Sequence, residues 1–512
     1  MSKYDYIVVG AGNAGLSASL TLILQNKKVL LIEQNNSVGG CATSFIRGRF
    51  EFDPSLHELC DFGSKENKGT VQKLFDSFSI DLDWIKINDC FRLITKGYDN
   101  KKIDVVMPSK KKEFINKMEY YVPNSKEKMI QFFDLLKEIN DGLEYLTLSN
   151  GKYDTNILKE KYPNLLICGS YSSKKVFEAL KLPKECQDIL SAYWPYLGVD
   201  LERMSFLHYA VMIFKYIEKS AYIPKNTSND ISLSLFERFK SLGGCTLLNT
   251  KCEKILFENR EVKGIVTNNG TFESNYVLAN INPDILYGKM IPKNVLPDRE
   301  KRLSSARNRH FSGRMLCVYL GLNKDYKDIG IKDYSIFLPS LADSKKEYLS
   351  MQNKNTNNFS IFLCYNVVNA DASPKGTCIC SFTTMCGRDD FGYDMDLKDY
   401  YSIKESFAKK MINSLRENAN IDISPYIEEI SIASPLTFAR YLNAPEGSVY
   451  GYEPNDWDSM IARMMSIKSD YPIKGLYPIG TSGPRGNGYS STYVCGNLIA
   501  NLALGDEKNA KN

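Results

Sequence analysis

Three glycines, an acidic strand end and a few titratable side chains carry the chemistry that this sequence can do. Gly10, Gly12 and Gly15 stand in Gly10-Ala11-Gly12-Asn13-Ala14-Gly15, directly after the apolar run Tyr6-Ile7-Val8-Val9. Eighteen residues after Gly15, Glu33 closes a second apolar run that begins at Lys28. That spacing suits a dinucleotide. Gly10 permits a tight turn, Gly12 lets the backbone approach a pyrophosphate, and Gly15 lets the following helix lie close to the strand. The first-turn N–H groups at Asn13 and Ala14 have no partners inside their helix and face the phosphates. A carboxylate at Glu33, with Gln34 beside it, accepts hydrogen bonds from the two ribose hydroxyls of an adenosine. It disfavours a 2′-phosphate, so the ligand is FAD or NAD rather than NADP.

A second backbone bend follows at Val38-Gly39-Gly40-Cys41-Ala42-Thr43-Ser44, where Gly39, Gly40 and Cys41 fall beside the cofactor. The chain runs on as FIRGRFEFDPSLHEL, with Asp53 and His57. An imidazole at His57 could orient a substrate or relay a proton, and equally it could be a satisfied structural histidine. His208 and His310 read as structural.

The elements that must position these residues are a strand, a Gly-rich turn, a helix and a strand. The helix is LSASLTLILQN, with Leu16, Leu20 and Ile23 on one stripe. Residues 235–285 supply a helix ending in FERFKSLGG, then short strands with a hairpin at Asn268-Asn269-Gly270. Residues 65–220 and 310–425 are rich in Tyr, Phe, Met and Ile and lack nucleotide features. The stretch 204–219, MSFLHYAVMIFKYIEK, is apolar on most sides and reads as a buried core helix or as the wall of a long apolar channel. FINKMEYYVPNSKEKMIQFFDLLKEI reads as helix and follows the basic run Lys110-Lys111-Lys112. Such a face suits solvent, or an anionic lipid surface.

Composition bounds the rest. The chain has 512 residues, 43% hydrophobic and 24% charged. These are ordinary globular proportions, enough for roughly three domains of about 150 residues each. Its 65 basic and 60 acidic residues leave a net charge of +5 without a basic tail, which gives no argument for nucleic acid. Thirteen cysteines at irregular spacing read as buried free thiols in a reducing compartment. Cys378 and Cys380 are the only close pair, and three histidines do not build a metal centre, so no metal is expected. The strand-like YIVVG begins within a few residues of Met1, which leaves no signal peptide. No run reaches 18 uninterrupted apolar residues. A cytoplasmic protein is expected, soluble or peripheral on the inner face of the membrane.

GAGNAG, VLLIEQ, VGGCATSF, FEFDPSLHEL, the late SPLTFARYLNAPEGSVYG and the terminal GLYPIGTSGPRGNGYSSTYVCGNLIANLAL together resemble the phytoene desaturase-like FAD-dependent oxidoreductases. These comprise carotenoid desaturases, carotenoid isomerases and retinol saturases. The resemblance spans residue 4 to about 503 and is nearer the saturase and isomerase branch. It implies an α/β fold, with a Rossmann-like FAD-binding domain of the para-hydroxybenzoate hydroxylase or amine oxidase type, interrupted by a mixed α+β substrate domain. The implied division gives residues 1–64, 221–309 and 426–512 to the FAD-binding part and 65–220 and 310–425 to the substrate part. It also implies FAD contacts from Gly480, Thr481, Gly486, Gly488 and Tyr489. Arg440 and Tyr441 would lie on the substrate face of the flavin, Tyr441 as proton donor or pocket wall. The implied reaction is hydride transfer between flavin and a C=C or C–C bond of an apolar polyene or isoprenoid. A small polar amine is the alternative substrate, and a non-catalytic flavoprotein the third reading. Redox partners would be NAD(P)H, a quinone or an electron-transfer protein. Two positions depart from the family pattern. Thr481 and Ser482 stand where an acid or amide is usual, and Pro224-Lys225-Asn226-Thr227-Ser228 stands where proline and paired glycines are usual.

Overall fold

The opening strand–helix–strand alternation builds a parallel sheet. The computed structural model describes residues 3–149, 153–296, 310–352, 357–470, 473–481, 483 and 486–511. Five parallel strands lie in the order Cys245–Leu247, Val29–Ile32, Tyr6–Val9, Val277–Ala279 and Leu476–Pro478. Successive side chains of a strand point to opposite faces, and both faces here are covered. Tyr6 and Val8 pack into a core with the helices Asn13–Ile23 and Tyr489–Lys511. Ile7 and Val9 pack against Ile255, Val262 and Ile265 of an antiparallel three-stranded sheet. The hairpin expected at Asn268-Asn269-Gly270 joins two of its strands, Glu261–Thr267 and Gly270–Glu273.

The second layer is a seven-stranded mixed sheet. Its order is Ile427–Ala433, Met315–Leu322, Cys378–Met385, Ser360–Cys364, Ser335–Leu338, Asp89–Lys96 and Lys102–Pro108. One face, with Leu316, Val318 and Phe382, packs against Phe407, Met411 and Leu415 of the long helix Leu397–Ala419. The other face, with Cys317, Tyr319 and Leu363, shares a core with the helices Lys126–Leu148 and Phe206–Ile217. The single helix that the sequence suggests after Lys112 is two, Lys111–Tyr121 and Lys126–Leu148. Pro123 lies between them. It has no N–H to donate and disfavours the helical conformation of Val122 before it.

The helices Asn13–Ile23 and Tyr489–Lys511 meet at bare backbone. A Cβ on Gly496 would stand 2.1 Å from the Ala14 carbonyl oxygen, and a Cβ on Gly15 would stand 1.8 Å from the Gly10 carbonyl oxygen. Ser17 Oγ donates to the Tyr493 carbonyl at 2.7 Å and Asn497 Nδ2 donates to Thr21 Oγ1 at 2.9 Å. The C-terminal helix is thereby held in register over the first turn. Gly496→Val should force the two helices apart and cost about 3 kcal/mol or more. Urea unfolding checks this, and an unchanged midpoint would show that the close approach is not required.

Candidate functional site

The carboxyl ends of the parallel strands gather at one cavity of about 400 Å³. Val9 leads to Gly10, Ile32 to Glu33, Ala279 to Asn280 and Ile479 to Gly480, and all of these but Ala279 line it. This is the place where the strand order reverses, between Tyr6–Val9 and its neighbours on either side, and where open parallel sheets bind ligands.

The first turn of the helix Asn13–Ile23 opens into the cavity through Gly12, Asn13 and Ala14. No side chain caps it. The buried Oδ1 of Asn13 has no hydrogen-bond partner. A Cβ on Gly12 would meet only Asn280 Nδ2 at 3.2 Å and the Gly39 carbonyl at 4.0 Å. The cradle is therefore open at Gly12, rimmed by unpaired polar groups, and shaped for an anionic diphosphate. Glu33 is 7% exposed. Its Oε2 accepts from the Ala11 N–H at 2.7 Å and its Oε1 from the Asn35 N–H at 2.9 Å. A carboxylate has about four lone-pair sites, so two stay available to a ribose. Gln34 and Asn35 also line the cavity.

The paired-glycine bend docks on the nucleotide turn. Gly39 bridges Gly12, and its N–H donates to the Ala11 carbonyl at 2.8 Å. Gly39 has φ +112°, and a Cβ there would lie 2.2 Å from the Ala42 carbonyl oxygen, so the bend requires glycine. Gly40 and Cys41 line the cavity. The Cys41 carbonyl accepts from Tyr489 OH at 2.9 Å, which ties this bend to the N-terminus of the last helix. Residues 488–492 of that end line the cavity too, as does Thr481. Gly486 packs beside His208 instead, and Ser482 lies outside the described residues. Gly15 lies behind the cradle, against Gly10, and does not line it.

From the cradle the cavity continues to the large sheet, at Met315, Cys317 and Thr383. The helix Phe206–Ile217 is buried and also forms a wall, through His208, Val211, Met212, Lys215 and Tyr216. Lys215 Nζ is paired with the Asp61 carboxylate. His57 sits at this inner end. Its Nδ1 lies 3.2 Å from Tyr196 OH and its Nε2 lies 3.0 Å from Thr383 Oγ1. Burial holds the imidazole down, to about 4, so it is neutral. Beside it, Glu58 lines the cavity, and its Oε1 accepts from Tyr196 OH at 2.9 Å. Burial pushes this carboxyl up to about 8, against a lowering by the tyrosine bond. Asp53 is raised to about 6 by burial, although it accepts from the Ser228 N–H at 2.7 Å and from Ser228 Oγ at 2.8 Å. These bonds fasten the Pro224–Ser228 segment to the bend.

Tyr441 and Arg440 lie elsewhere. Tyr441 is 61% exposed at the cavity rim, and its carbonyl accepts from Asn35 Nδ2 at 3.2 Å, on the Glu33 side. Arg440 is exposed, with its guanidinium carbon 6.0 Å from the Tyr441 ring centre, and does not line the cavity. Neither is bonded to the His57 group. Three contributors have no counterpart in the sequence reading. Asn280 comes from a distant strand end, and only its place at the reversal of strand order could have signalled it. Glu58 and Tyr196 are ordinary polar residues in sequence and become notable through burial together. The fold also brings Cys364 to Cys378 and Cys380, with sulfurs within 4.8 Å of one another, in the apolar core on the other face of the large sheet from Cys317.

Comparison with known proteins agrees with this geometry. The NAD(P)-binding Rossmann-like domain profile matches residues 8–78. All-trans-retinol 13,14-reductase of Danio rerio is 23% identical over 98% of this chain and 86% of its own length. The 1-hydroxycarotenoid 3,4-desaturase of a Flavobacterium is 24% identical over 97% of this chain and 98% of its own. These relatives are a retinol reductase and a carotenoid desaturase, and the resemblance seen in the sequence is to the phytoene desaturase-like oxidoreductases. A double mutant of putrescine oxidase shares the fold, with a TM-score of 0.65 at 11% identity over 98% of this chain and 99% of its own.

Two outcomes follow for this oxidoreductase. Glu33→Ala should weaken dinucleotide binding by about 1–3 kcal/mol, from lost charged hydrogen bonds. Titration of apoprotein with FAD measures it, and an unchanged dissociation constant would reject the ribose role. Glu58 binds a proton in the folded state between its ordinary value of 4.5 and about 8, where the unfolded chain has lost it. Wild-type stability should therefore fall as pH rises through that window. Glu58→Gln should remove this fall, a difference of about 5 kcal/mol at its upper end. Urea midpoints at pH 5 and 9 check it, and parallel pH dependences of the two proteins would contradict it.

Proposed function

We propose that this chain is an FAD-dependent oxidoreductase acting on C=C or C–C bonds of an apolar polyene or isoprenoid substrate. The observation that carries the reading is the continuity of one cavity from the diphosphate cradle to a buried, aromatic and aliphatic end. Gly12, Asn13 and Ala14 would hold the diphosphate of a dinucleotide and Glu33 its ribose, and Gly39, Gly40, Cys41, Tyr196, Met212 and Met315 line the rest of the same cavity, where its other half would lie. Bound there, the flavin supplies or accepts a hydride.

The chain's own groups then have distinct tasks. Met212, Met315, Phe438 and Met460 give the substrate an apolar bed and keep water out. The first turns of the helices at Asn13 and Tyr489 favour the negative charge of the diphosphate. His57, neutral and bonded on both nitrogens, holds Tyr196 in place. A small amine fits this interior less well. A cationic substrate needs an anion beside it, and burial keeps Glu58 neutral at pH 7.

The electron donor or acceptor we propose is NAD(P)H, a quinone or a redox protein, reached by transient contact. Among the described residues no helix is long and apolar enough to cross a membrane. The basic run at residues 110–112 is partly neutralised by acidic neighbours, which lessens its pull toward an anionic surface. Lys110 is paired with Glu113 at 2.8 Å and Lys111 with Asp134 at 3.0 Å.

Anaerobic, dithionite-reduced flavoprotein mixed with all-trans-retinol, acyclic carotenoids and a panel of primary amines tests the reading, together with oxidised enzyme offered the same compounds. A polyene should reoxidise the reduced flavin, or the oxidised flavin should be bleached by a polyene. Bleaching by an amine alone would overturn the proposal.

A further inference from the structure

We propose that Cys364, Cys378 and Cys380 form a binding site for one Cu(I) ion, a three-sulfur site separate from the dinucleotide cavity. Cys378 and Cys380 open the strand Cys378–Met385 two residues apart, so their side chains leave the same face. Cys364 ends the neighbouring strand Ser360–Cys364 and pairs directly with Cys380 in the antiparallel register. Directly opposed side chains share a face of the sheet, which brings the third sulfur to the other two. Past Cys364 the chain leaves the sheet in the short helix Tyr365–Val367, and the register gives Cys378 no partner on that side. The three sulfurs lie within 4.8 Å of one another. An ion bonded to each at about 2.3 Å holds them about 4 Å apart, so each pair needs to close by less than about 1 Å.

The surroundings select the ion. Leu320 and Leu322 of the strand Met315–Leu322 stand opposite Cys380 and Cys378, and Ile331, Phe362 and Leu415 belong to the same core. Among the described residues no histidine, aspartate or glutamate joins the three sulfurs within the same reach. A structural zinc takes four ligands, and oxygen-seeking cations take carboxylates and water. Three sulfurs without a fourth donor suit a soft ion that accepts three-fold coordination, and Cu(I) is such an ion. The thiols are already organised around a negative charge. Burial keeps Cys364 and Cys380 protonated, and their hydrogen bonds lower the Cys378 thiol to about 5. The Asn366 N–H donates to Cys364. The one charged side chain that acts on Cys378 is Asp325, an anion. A cation between the sulfurs therefore meets a thiolate that has no counter-ion. Cu(I) enters without change of oxidation state. Cu–S bonds form, the S–H bonds of the ligating thiols break, and their protons go to solvent. The exposed turn at residues 374–376, just before Cys378, gives the ion a way in. Bound there, the ion fastens both ends of the segment 365–377, whose Tyr365 OH donates to the Leu56 carbonyl at 2.8 Å.

The test uses the full chain loaded with FAD, reduced and free of air. Cu(I) is supplied as its acetonitrile complex, against a chromogenic Cu(I) chelator and with Zn(II) present in equal amount. Wild type should retain one Cu(I) per chain, and X-ray absorption at the copper edge should show three sulfurs at about 2.3 Å. Cys378→Ala and Cys364→Ala should hold the ion at least about 100-fold more weakly while keeping full flavin content. Cys245→Ala, which removes a half-buried thiol from the parallel sheet, should hold it as wild type does. If a ring variant fails to fold, the absorption spectrum of the wild type decides alone. No copper retained, two-sulfur coordination, zinc retained in place of copper, or equal retention by the ring variants would overturn the assignment. None of these outcomes bears on the oxidoreductase reading, because the ring lies across the large sheet from the cavity.

Discussion

Bare helix N-terminal backbone at the carboxyl edge of a parallel sheet is the constraint on which this structure turns. Peptide N–H groups in the first turn of a helix have no partners inside it. At Asn13 and Ala14 no side chain supplies one, and the cavity opens in front of them. Much of the surrounding architecture keeps that backbone bare and approachable. Gly15 lets the turn and helix close on each other, Gly39 brings the second bend alongside, and Gly496 lets the last helix lie across the first. A charged ligand laid there meets oriented dipoles rather than a mobile counter-ion, so its position is fixed by the main chain.

That fixed point sets where chemistry can occur. The sheet edge delivers the nucleotide end, and the large mixed sheet delivers Thr383 and Cys317 to the far end of the same cavity. The helix Phe206–Ile217 serves both parts, as core and as wall. The interior is apolar enough to push a carboxyl up and an imidazole down, so Glu58 and His57 are both uncharged at pH 7. Both act there as hydrogen-bond partners of Tyr196 rather than as charges.

The nucleotide half was legible in the sequence because its signals are local. A strand, a glycine turn, an apolar helix buried on all sides and an acidic strand end fall within about thirty residues, and each residue type answers to one steric or electrostatic need. The hairpin at Asn268-Asn269-Gly270 was legible for the same reason. The inner end of the cavity was not. Glu58 and Tyr196 are 138 residues apart and become a pair only when the chain packs. Tyr441, placed near the flavin by family resemblance, stands exposed at the rim, because the helix Pro435–Leu442 turns Phe438 inward and Tyr441 out. Pattern gives the neighbourhood of a segment, while the facing of one side chain depends on the helix's rotation against its neighbours.

The central claim is that the diphosphate, held by main-chain groups, anchors the cofactor. Calorimetric titration of the apoprotein with FAD and with riboflavin, which shares the ring system but lacks diphosphate and adenosine, tests it most directly. The account predicts that FAD binds at least about 100-fold more tightly, the equivalent of roughly two charge-assisted hydrogen bonds. Equal affinity for the two would place the anchor at the ring and contradict it.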